Sequence, residues 1–511
     1  MPQIRKHEKA KKGTLKRLMK HLLRDFKWQL LVVAICIIFN VFGNLCSSIF
    51  ANFVTVNLTK SVGLGLNPFV DKVDTTAMGI TLHTNITDLL IAMAVIYAFG
   101  VFAAWWWNRE MAIITQKFLN RFRIAMFNRM QDLPIKYFDT HARGDIMSLY
   151  TNDIDTIRQF ISQSLPSLFQ TGLSVIFVFI TMLLNSVWMT LAVVVGSLAM
   201  LMNTIIIGGR ASKYFIKQQR QVGIVEGNIE ESIKGLKVIK VFTHEEESTA
   251  EFVQINEQLR NYATEANIHG NITAPINGNI GNFMYVITAA IGFLMLVIPG
   301  FNNVSLTGVY EIQTSDLSTF WGVVVSFLMM SRMFTNNVNN FSQQVTFIVM
   351  GMAGASRCFD LMDEQKEIDD GYVKLVNVIK HEDGSLEETT KKTRDYAWKH
   401  PHQADGTVTY TELKGDIVLD QVDFSYNGTR MILHDISIYA HPGQQIALVG
   451  ATGAGKPTIT NIINRFYDIA DGKVRYDGIN INKISKKDLR KSLGIVLQDV
   501  NLFTGTVMEN I

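Results

Sequence analysis

The sequence is poor in the residues that build disulfide-rich, metal-binding or highly soluble proteins. Only 18 % of its 511 residues are charged, and it has three cysteines and nine prolines. Cys36, Cys46 and Cys358 have neither a metal-ligand nor a redox spacing, which excludes a disulfide framework and favours packing roles. Low charge combined with positive mean hydropathy is unusual for a soluble enzyme. A chain of this length predicts more than one domain.

Six stretches are long and apolar enough to cross a membrane. A helical span needs about 20 mostly apolar residues to cross about 30 Å of hydrocarbon. The candidates cover residues 28–54, 89–107, 165–184, 188–207, 280–298 and 317–333. The sequence therefore predicts an α-helical, multi-pass membrane domain embedded in a lipid bilayer.

Lysine and arginine are distributed unevenly around these stretches. Ten precede Trp28, and the connections 108–164 and 208–275 carry eight each, whereas 55–88 carries two and 299–316 none. The positive-inside rule predicts that both termini and both long connections are cytoplasmic. The basic tail runs directly into the first span, and no small-residue cleavage site follows, which disfavours a signal peptide. We also expect no nucleic-acid partner for this tail.

The two long cytoplasmic connections have helical periodicity and few turn signals. Two antiparallel helices of some 25 residues each would extend roughly 40 Å into the cytosol. Turn signals place the tip of the first arm at residues 133–139, before Gly144-Asp145, and that of the second at 235–242. Aromatic residues beside basic ones suggest docking surfaces at these tips, and an ordinary helical hairpin is the alternative.

Two groups of polar side chains lie in or beside the predicted spans. Such residues either line a wet pathway or bond neighbouring helices, and the pattern leaves both possibilities open. One group shares a face of the first span, and the other lies at the cytoplasmic end of the sixth. The two groups are Asn40, Asn44 and Ser47, and Asn336, Asn337, Asn339, Asn340, Gln343 and Gln344.

The composition changes after the last span. Residues 351–414 indicate the end of a helix and a charged linker, with a hairpin signal at Asp383-Gly384. His400 and His402 flank a proline and lack a third ligand, which favours a solvated turn over a metal site. A β-rich region follows. Strands are predicted at 417–426, 432–439, 445–449, 474–478 and 493–497.

A glycine-rich loop lies between the predicted strand at 445–449 and an amphipathic helix. Gly450-x4-Gly455-Lys456 has the spacing of a P-loop, in which backbone N–H groups and a helix N-terminus face a phosphate. A glycine-rich turn without a ligand is the simpler alternative, and the flanking strand and helix disfavour it. The next residue, Pro457, departs from the motif, which requires serine or threonine there.

Together these segments resemble the ABC transporters, in the exporter type that fuses six spans to one ATP-binding cassette as a multidrug- or lipid-exporter-like half-transporter. The resemblance covers nearly the whole chain. It rests on residues 448–468, on Phe424-Ser425-Tyr426, on the segment 496–511 and on both arm tips. We expect four parts. They are a basic cytoplasmic tail (1–27), a six-helix transmembrane domain (28–350), a helix end with a charged linker (351–414), and an incomplete α/β P-loop cassette (415–511).

The resemblance implies a site for ATP and Mg²⁺. Tyr426 would stack on the adenine, worth roughly 1–3 kcal/mol if it behaves like base–aromatic stacking elsewhere. Lys456 would hold the terminal phosphates as a catalytic residue, and Gln498 would contact Mg²⁺ or the attacking water. The loop and the start of its helix would supply the other nucleotide contacts. These residues are Gly450, Thr452, Gly453, Ala454, Gly455 and Thr458.

The resemblance also implies ATP-driven export of an amphipathic small molecule or lipid across the cell membrane. ATP would be buried between two cassettes, so a second half-transporter, identical or different, is an expected partner. Nothing in the sequence resembles the signature segment, the Walker B aspartate, the catalytic glutamate or the switch histidine. We therefore expect a truncated cassette that does not turn over ATP alone.

Two rival functions follow from the same residues. Pro457 and the missing motifs favour a non-catalytic partner subunit that binds nucleotide weakly and regulates an active half-transporter. Lys456, Tyr426 and Gln498 favour the exporter. A membrane-anchored P-loop enzyme without transport is a third alternative, but it would not need the two long arms.

Overall fold

The computed structural model describes residues 11–77, 80–298, 302–306, 308–310, 317–402, 406–428, 430–451, 453–496 and 502–510. The chain divides into two compact units. The first is formed by residues 1–123 and 149–359, and the second by residues 124–148 and 360–511. The tip of the first arm therefore belongs to the same unit as the P-loop.

Fourteen helices occur in the described residues. They are α1 (Thr14–Gly63), α2 (Ile86–Gln131), α3 (Ile135–Thr140), α4 (Arg143–Ser148), α5 (Ile154–Gln159), α6 (Leu165–Asn185), α7 (Val187–Lys234), α8 (Leu236–Phe242), α9 (Glu245–Asn271), α10 (Thr273–Val297), α11 (Leu317–Asp363), α12 (Lys456–Ile463), α13 (Lys486–Ser492) and α14 (Val507–Asn510). Two π-helical turns, Leu149–Asp153 and Phe160–Ser164, flank α5.

The prediction of a helical, multi-pass membrane domain is confirmed. Five helical segments in the described residues are long and apolar enough to span a bilayer, and they contain the first five predicted spans except for residue 298. Only 17–28 % of their most apolar windows is buried within the chain, which leaves an apolar surface for lipid. The sixth predicted span, 317–333, lies within α11, and the count of six spans stays a prediction.

Both predicted arm tips are confirmed as short helices, each of which follows a long helix. Helix α3 follows α2, after Pro134 with its fixed φ of −66°. Helix α8 lies between α7 and α9, and Thr243 in the left-handed conformation (φ 59°) ends it. Each predicted arm tip therefore contains a short helix directly after a long arm helix.

Polar side chains bond the helices of the first unit to one another. Asn40 on α1 donates to the carbonyl oxygen of Gly100 on α2 (3.2 Å) and accepts from Gln170 on α6 (3.3 Å). Asn337 on α11 donates to Ser174 Oγ on α6 (2.7 Å). Members of both predicted polar groups thus join neighbouring helices. Asn336 and Asn340 are exposed, and the side chain of Gln343 lies outside the described part of the chain.

The described strands form two short hairpins and two four-stranded sheets. The hairpins pair β1 (Val73–Ala77) with β2 (Ile80–Thr84), and β3 (Asn303–Ser305) with β4 (Gly308–Tyr310). The sheets contain β5 (Lys374–Lys380), β6 (Leu386–Glu388), β7 (Tyr396–Pro401), β8 (Val408–Glu412), β9 (Ile417–Phe424), β10 (Leu433–Ala440), β11 (Asp471–Tyr476) and β12 (Ile479–Asn480). Their orders are β6-β5-β7-β8 and β10-β9-β11-β12, with every pair antiparallel.

The sheet with the order β6-β5-β7-β8 lies within residues 351–414, which the composition predicts to be a helix end and a charged linker. The hairpin predicted at Asp383-Gly384 is confirmed, since it joins β5 to β6. Trp398 on β7 is fully buried, and its indole N–H donates to Asp477 Oδ2 at 2.9 Å. Its ring packs against Tyr476 with the centroids 5.5 Å apart. One buried aromatic side chain therefore fixes this sheet to the β11–β12 turn.

The strands predicted at 417–426, 432–439 and 474–478 are confirmed as β9, β10 and β11. The strand predicted at 445–449 is wrong, because these residues pair with no described strand and Val449 is 93 % exposed. The described residues 493–496 likewise form no strand. Apolar runs of this kind become buried strands only where neighbouring strands satisfy their N–H and C=O groups.

Candidate nucleotide-binding site

The glycine-rich loop has the backbone geometry that phosphate binding requires. Gly453 and Gly455 adopt φ angles of 86° and 82°, a left-handed conformation that side chains disfavour. A Cβ atom added to Gly455 would lie 2.8 Å from Leu433 Cδ2 and 3.3 Å from the carbonyl oxygen of Ile432. Glycine is therefore needed at this position both for its conformation and for the close approach of the loop to β10.

Lys456 lies across the loop that precedes it. Its ammonium group donates to the carbonyl oxygens of Gly450 (2.6 Å) and Ala451 (2.8 Å), and the residue is half-buried. An incoming phosphate can replace these two weak acceptors with charged oxygens, which make stronger hydrogen bonds to an ammonium group. The arrangement therefore places a mobile positive charge beside the N-terminus of α12.

Pro457 occupies the first turn of α12. Because proline disfavours the helical conformation of the residue before it, the sequence predicts that Lys456 is pushed out of the helix. This prediction is wrong, since the helix begins at Lys456. This is consistent with the general tolerance of proline in a first helical turn, where the N–H has no intrahelical acceptor. The proline instead removes two possible ligands, because position 457 has neither a side-chain hydroxyl group nor a backbone N–H donor.

Tyr426 and Thr458 are brought together by the fold. The Tyr426 hydroxyl lies 3.1 Å from Thr458 Oγ1 and accepts from Asn461 Nδ2 at 3.4 Å. The half-buried Tyr426 ring packs nearly perpendicular to the rings of Phe424 and Tyr467, with both centroids 4.8 Å away. The predicted adenine-binding tyrosine is thus anchored to the first turn of the P-loop helix. Two other predicted contacts, Thr452 and Gln498, lie outside the described residues.

Tyr467 connects this site to the tip of the first arm. Its hydroxyl donates to the carboxylate of Asp139 on α3, while its ring contacts Tyr426. Burial and the neighbouring Asp139 carboxylate both raise the pKa of Tyr467, so the phenol stays protonated and remains a donor. Both residues lie in segments that carry the family resemblance, but the sequence could not pair them, since they are separated by 328 positions.

A second set of bonds holds the same arm tip. The backbone N–H of Glu367 donates to the carbonyl oxygen of Asp132 at 2.8 Å, and Lys366 Nζ lies 2.6 Å from the Asp132 carboxylate. The hydrogen bond from Lys366 holds the pKa of Asp132 below its usual value. Arg490 in turn forms a bidentate pair with Glu367 at 2.6 and 2.8 Å. The segment after α11 is therefore clamped between the arm tip and helix α13.

The donors of the site suit a phosphate better than a metal ion. The loop amides and the Lys456 ammonium are anion ligands. Pro457 offers no oxygen at the magnesium position, and the Thr458 hydroxyl is bonded to Tyr426. No group of three or more histidine, cysteine, aspartate or glutamate side chains that could hold a metal occurs in the described part of the chain. Among those residues, the loop and Lys456 offer ligands for an anion, whereas position 457 has no hydroxyl group and that of Thr458 is bonded to Tyr426.

The chain combines a multi-pass helical unit with a P-loop unit that also contains the tip of the first arm. This combination is typical of nucleotide-binding membrane transporters. Comparison with known families agrees. Residues 30–311 match the family model of the ABC transporter transmembrane region, and residues 433–510 match that of the ABC transporter. The chain belongs to the ABC transporter family, and it is an exporter-type half-transporter.

Three relatives illustrate the similarity. The chain is 31 % identical to the uncharacterized ABC transporter ATP-binding protein YfiC of Bacillus subtilis, over 99 % of this chain and 72 % of the relative. It is 26 % identical to a fatty acid ABC transporter ATP-binding/permease protein of Mycobacterium tuberculosis, over 98 % and 74 % of the two chains. It is also 26 % identical to an ATP-dependent lipid A-core flippase of Pseudomonas aeruginosa, over 83 % and 61 %.

Proposed function

We propose that the protein exports an amphipathic small molecule or lipid across the cell membrane, driven by ATP. The observation that carries the proposal is the chain of contacts from Asp139 through Tyr467 and Tyr426 to Thr458. It joins an arm tip to the P-loop helix within one compact unit. A nucleotide enzyme without transport has no use for such a connection. The names of the fatty acid and lipid A-core relatives support a lipid-like substrate.

The proposed roles of the site residues follow their chemistry. Tyr426 stacks on the adenine, and Lys456 with the amides of residues 452–456 holds the β- and γ-phosphates. Thr458 anchors Tyr426 at the start of α12. Gln498 contacts Mg²⁺ or the attacking water. One cassette cannot enclose ATP, so we propose a homo- or heterodimer. ATP hydrolysis then requires the complete dimer, and a single 511-residue polypeptide does not turn over ATP by itself.

Removing the Tyr467 hydroxyl tests the connection between site and arm. Tyr467→Phe keeps the ring against Tyr426 but loses the hydrogen bond to the Asp139 carboxylate, worth about 1.5–3 kcal/mol. We expect ATP affinity to stay within about twofold, while the ATP-induced conformational change of the membrane unit weakens by about tenfold or more. The readout is the reactivity of a single cysteine at exposed Asn336 in full-length protein, with and without ATP.

The matched control is Tyr410→Phe, which removes another tyrosine–carboxylate bond (Tyr410 to Glu388, 2.9 Å) of the second unit. This control should respond to ATP as the unsubstituted protein does. Asp139→Asn should reproduce the effect of Tyr467→Phe. An unchanged cysteine response in Tyr467→Phe would refute the proposed transmission, whereas a lost ATP affinity would assign Tyr467 to binding alone.

The positive-inside rule and the arm helices lead to a topology that labelling can test. We propose that both termini and both arms are cytoplasmic. Single cysteines at His83, on the β1–β2 hairpin, and at His244, beside the second arm tip, replace two exposed histidines of similar size. An impermeant maleimide should label the cysteine at position 83 from outside intact cells and leave that at position 244 unlabelled until the cells are opened. Labelling of position 244 in intact cells would contradict the topology.

A further inference from the structure

The six predicted spans contain a single charged residue, Arg332. It lies in the inner part of the sixth span, on α11, and its side chain is exposed. Ionisable residues inside membrane segments are costly, and they usually have a functional partner. Arg332 is therefore a candidate functional residue, and its surroundings indicate which partner it has.

Helices α10 and α11 pack as a close antiparallel pair around this position. Asn277 Nδ2 donates to Asn339 Oδ1 at 3.1 Å on the cytoplasmic side of Arg332. On the opposite side, a Cβ atom added to Gly292 would lie 2.8 Å from Val324 Cγ2. Contacts on both sides fix the register of the pair. The position of Arg332 against α10 is therefore set by the helices and not by its own flexible side chain.

Among the described residues, the electrostatic contact of Arg332 is with an aromatic ring. Its guanidinium carbon lies 5.0 Å from the centroid of the Tyr285 ring on α10, a cation–π contact. No carboxylate in the described part of the chain lies within 4.0 Å of the guanidinium nitrogens. A ring face attracts the cation but does not neutralise it. The pair therefore presents an uncompensated positive charge, held in place, on a surface that a ligand can reach.

A neutral hydrogen-bonding side chain follows Arg332 on α11. Asn336 lies one turn after Arg332 on the same face and is exposed. A planar guanidinium with an amide donor beside it suits an oxyanion, because it can make two parallel N–H···O bonds to a carboxylate or a phosphate. A neutral or cationic headgroup gains no such bonds.

We propose that Arg332, positioned by Tyr285 and assisted by Asn336, binds the anionic headgroup of the transported molecule. The substrate class is then an amphipathic anion whose headgroup is a carboxylate or a phosphate. This inference rests on the proposed export function and narrows its substrate. The competing explanation is that Arg332 extends to the headgroups of resident lipids, in which case any cation at this position serves equally well.

The test compares probes that differ only in headgroup charge. Full-length protein without nucleotide is placed in nanodiscs of phosphatidylcholine, which carries no net charge. A fluorescent medium-chain fatty acid and its methyl ester are titrated at alkaline pH, where the carboxyl group is ionised. A fluorescent alkyl phosphate and the corresponding alcohol form a second pair and distinguish the two headgroups. We expect the unsubstituted protein to prefer at least one anion over its neutral partner by about tenfold or more.

Arg332→Gln should abolish this preference and leave binding of the neutral probes unchanged. Arg332→Lys should restore only part of it, since an ammonium group keeps the charge but lacks the planar fork. The matched control is Arg260→Gln on α9, which removes an exposed arginine outside the predicted spans and should keep the full preference. Binding of the neutral probes also reports whether each variant is folded.

Two results would overturn the inference. One is an anion preference that persists in Arg332→Gln. The other is an anion preference of Arg332→Lys that equals that of the unsubstituted protein, which would support the explanation that Arg332 contacts the headgroups of resident lipids. Failure of the headgroup proposal can be distinguished from failure of the proposed export function, because this assay measures binding without ATP. A protein that prefers the anion through Arg332 but never transports it would refute the proposed function and leave the headgroup site intact.

Discussion

Replacing Pro457 by serine is expected to tighten the binding of Mg·ATP by about tenfold or more. Pro457 can weaken binding in two ways, by distorting the start of α12 or by removing a hydroxyl and an N–H group. The structure separates these two effects. Helix α12 begins at Lys456 despite the proline, so the fold of the loop is already present. What the site lacks is a hydroxyl oxygen for the metal and one N–H donor for a phosphate. A serine supplies both without rebuilding the helix.

Other hydroxyl groups in the first turns of α12 are already engaged. Thr458 Oγ1 is bonded to the Tyr426 hydroxyl (3.1 Å), and Thr460 Oγ1 donates to the carbonyl oxygen of Pro457 (2.7 Å). A metal ligand lost at position 457 is therefore not replaced from these two residues. A charge-assisted hydrogen bond is worth about 1.5–3 kcal/mol, which sets the expected gain at one to two decades.

Titrations of three proteins under two conditions assign the gain to its cause. Pro457→Ser and Pro457→Ala are titrated with Mg·ATP and with ATP plus a chelator. If the hydroxyl matters, serine exceeds alanine only when Mg²⁺ is present. If the N–H matters, both variants gain under both conditions. Equal Mg·ATP affinities for all three proteins would show that the proline is harmless, and Lys456→Ala provides the low-affinity reference.

Truncating Trp398 to alanine is expected to destabilise the second unit by about 3–5 kcal/mol. The indole is fully buried, packs against Tyr476 and donates to Asp477 Oδ2. Asp477 also accepts from the backbone N–H groups of Gly415 and Asp416, both at 2.9 Å. One side chain therefore joins the sheet at residues 374–412 to the strands that position the P-loop. Its loss leaves a large cavity beside a carboxylate that has lost a partner.

The measurement is the temperature at which the second unit of the full-length protein becomes sensitive to protease. At roughly 2–4 °C per kcal/mol, the midpoint should fall by about 6–20 °C. Trp398→Phe removes mainly the N–H donor and should cost less, about 1.5–3 kcal/mol. Trp28→Ala removes a tryptophan that is 71 % exposed and should leave the midpoint unchanged. A small shift for Trp398→Ala would show that the sheet at 374–412 folds independently of this anchor.

The sequence by itself determined those features whose signals are local. Apolar runs of about 20 residues mark membrane helices because hydrocarbon cannot satisfy a backbone that is not internally bonded. Turn residues within long helical patterns placed both arm tips, α3 and α8, and alternation placed β9 to β11. The spacing of Gly450, Gly455 and Lys456 identified the P-loop, because its geometry is formed within a few consecutive residues.

The tertiary structure decided what depends on distant partners. The run at 445–449 has the composition of a strand, but a strand also needs neighbours, and Val449 is exposed. The segment 374–412 looks like a charged linker, yet strand pairing and the burial of Trp398 make it a sheet. The bond from Tyr467 to Asp139 spans 328 positions. The contact between Arg332 and Tyr285 depends on the register of two helices, and no period within either helix encodes it.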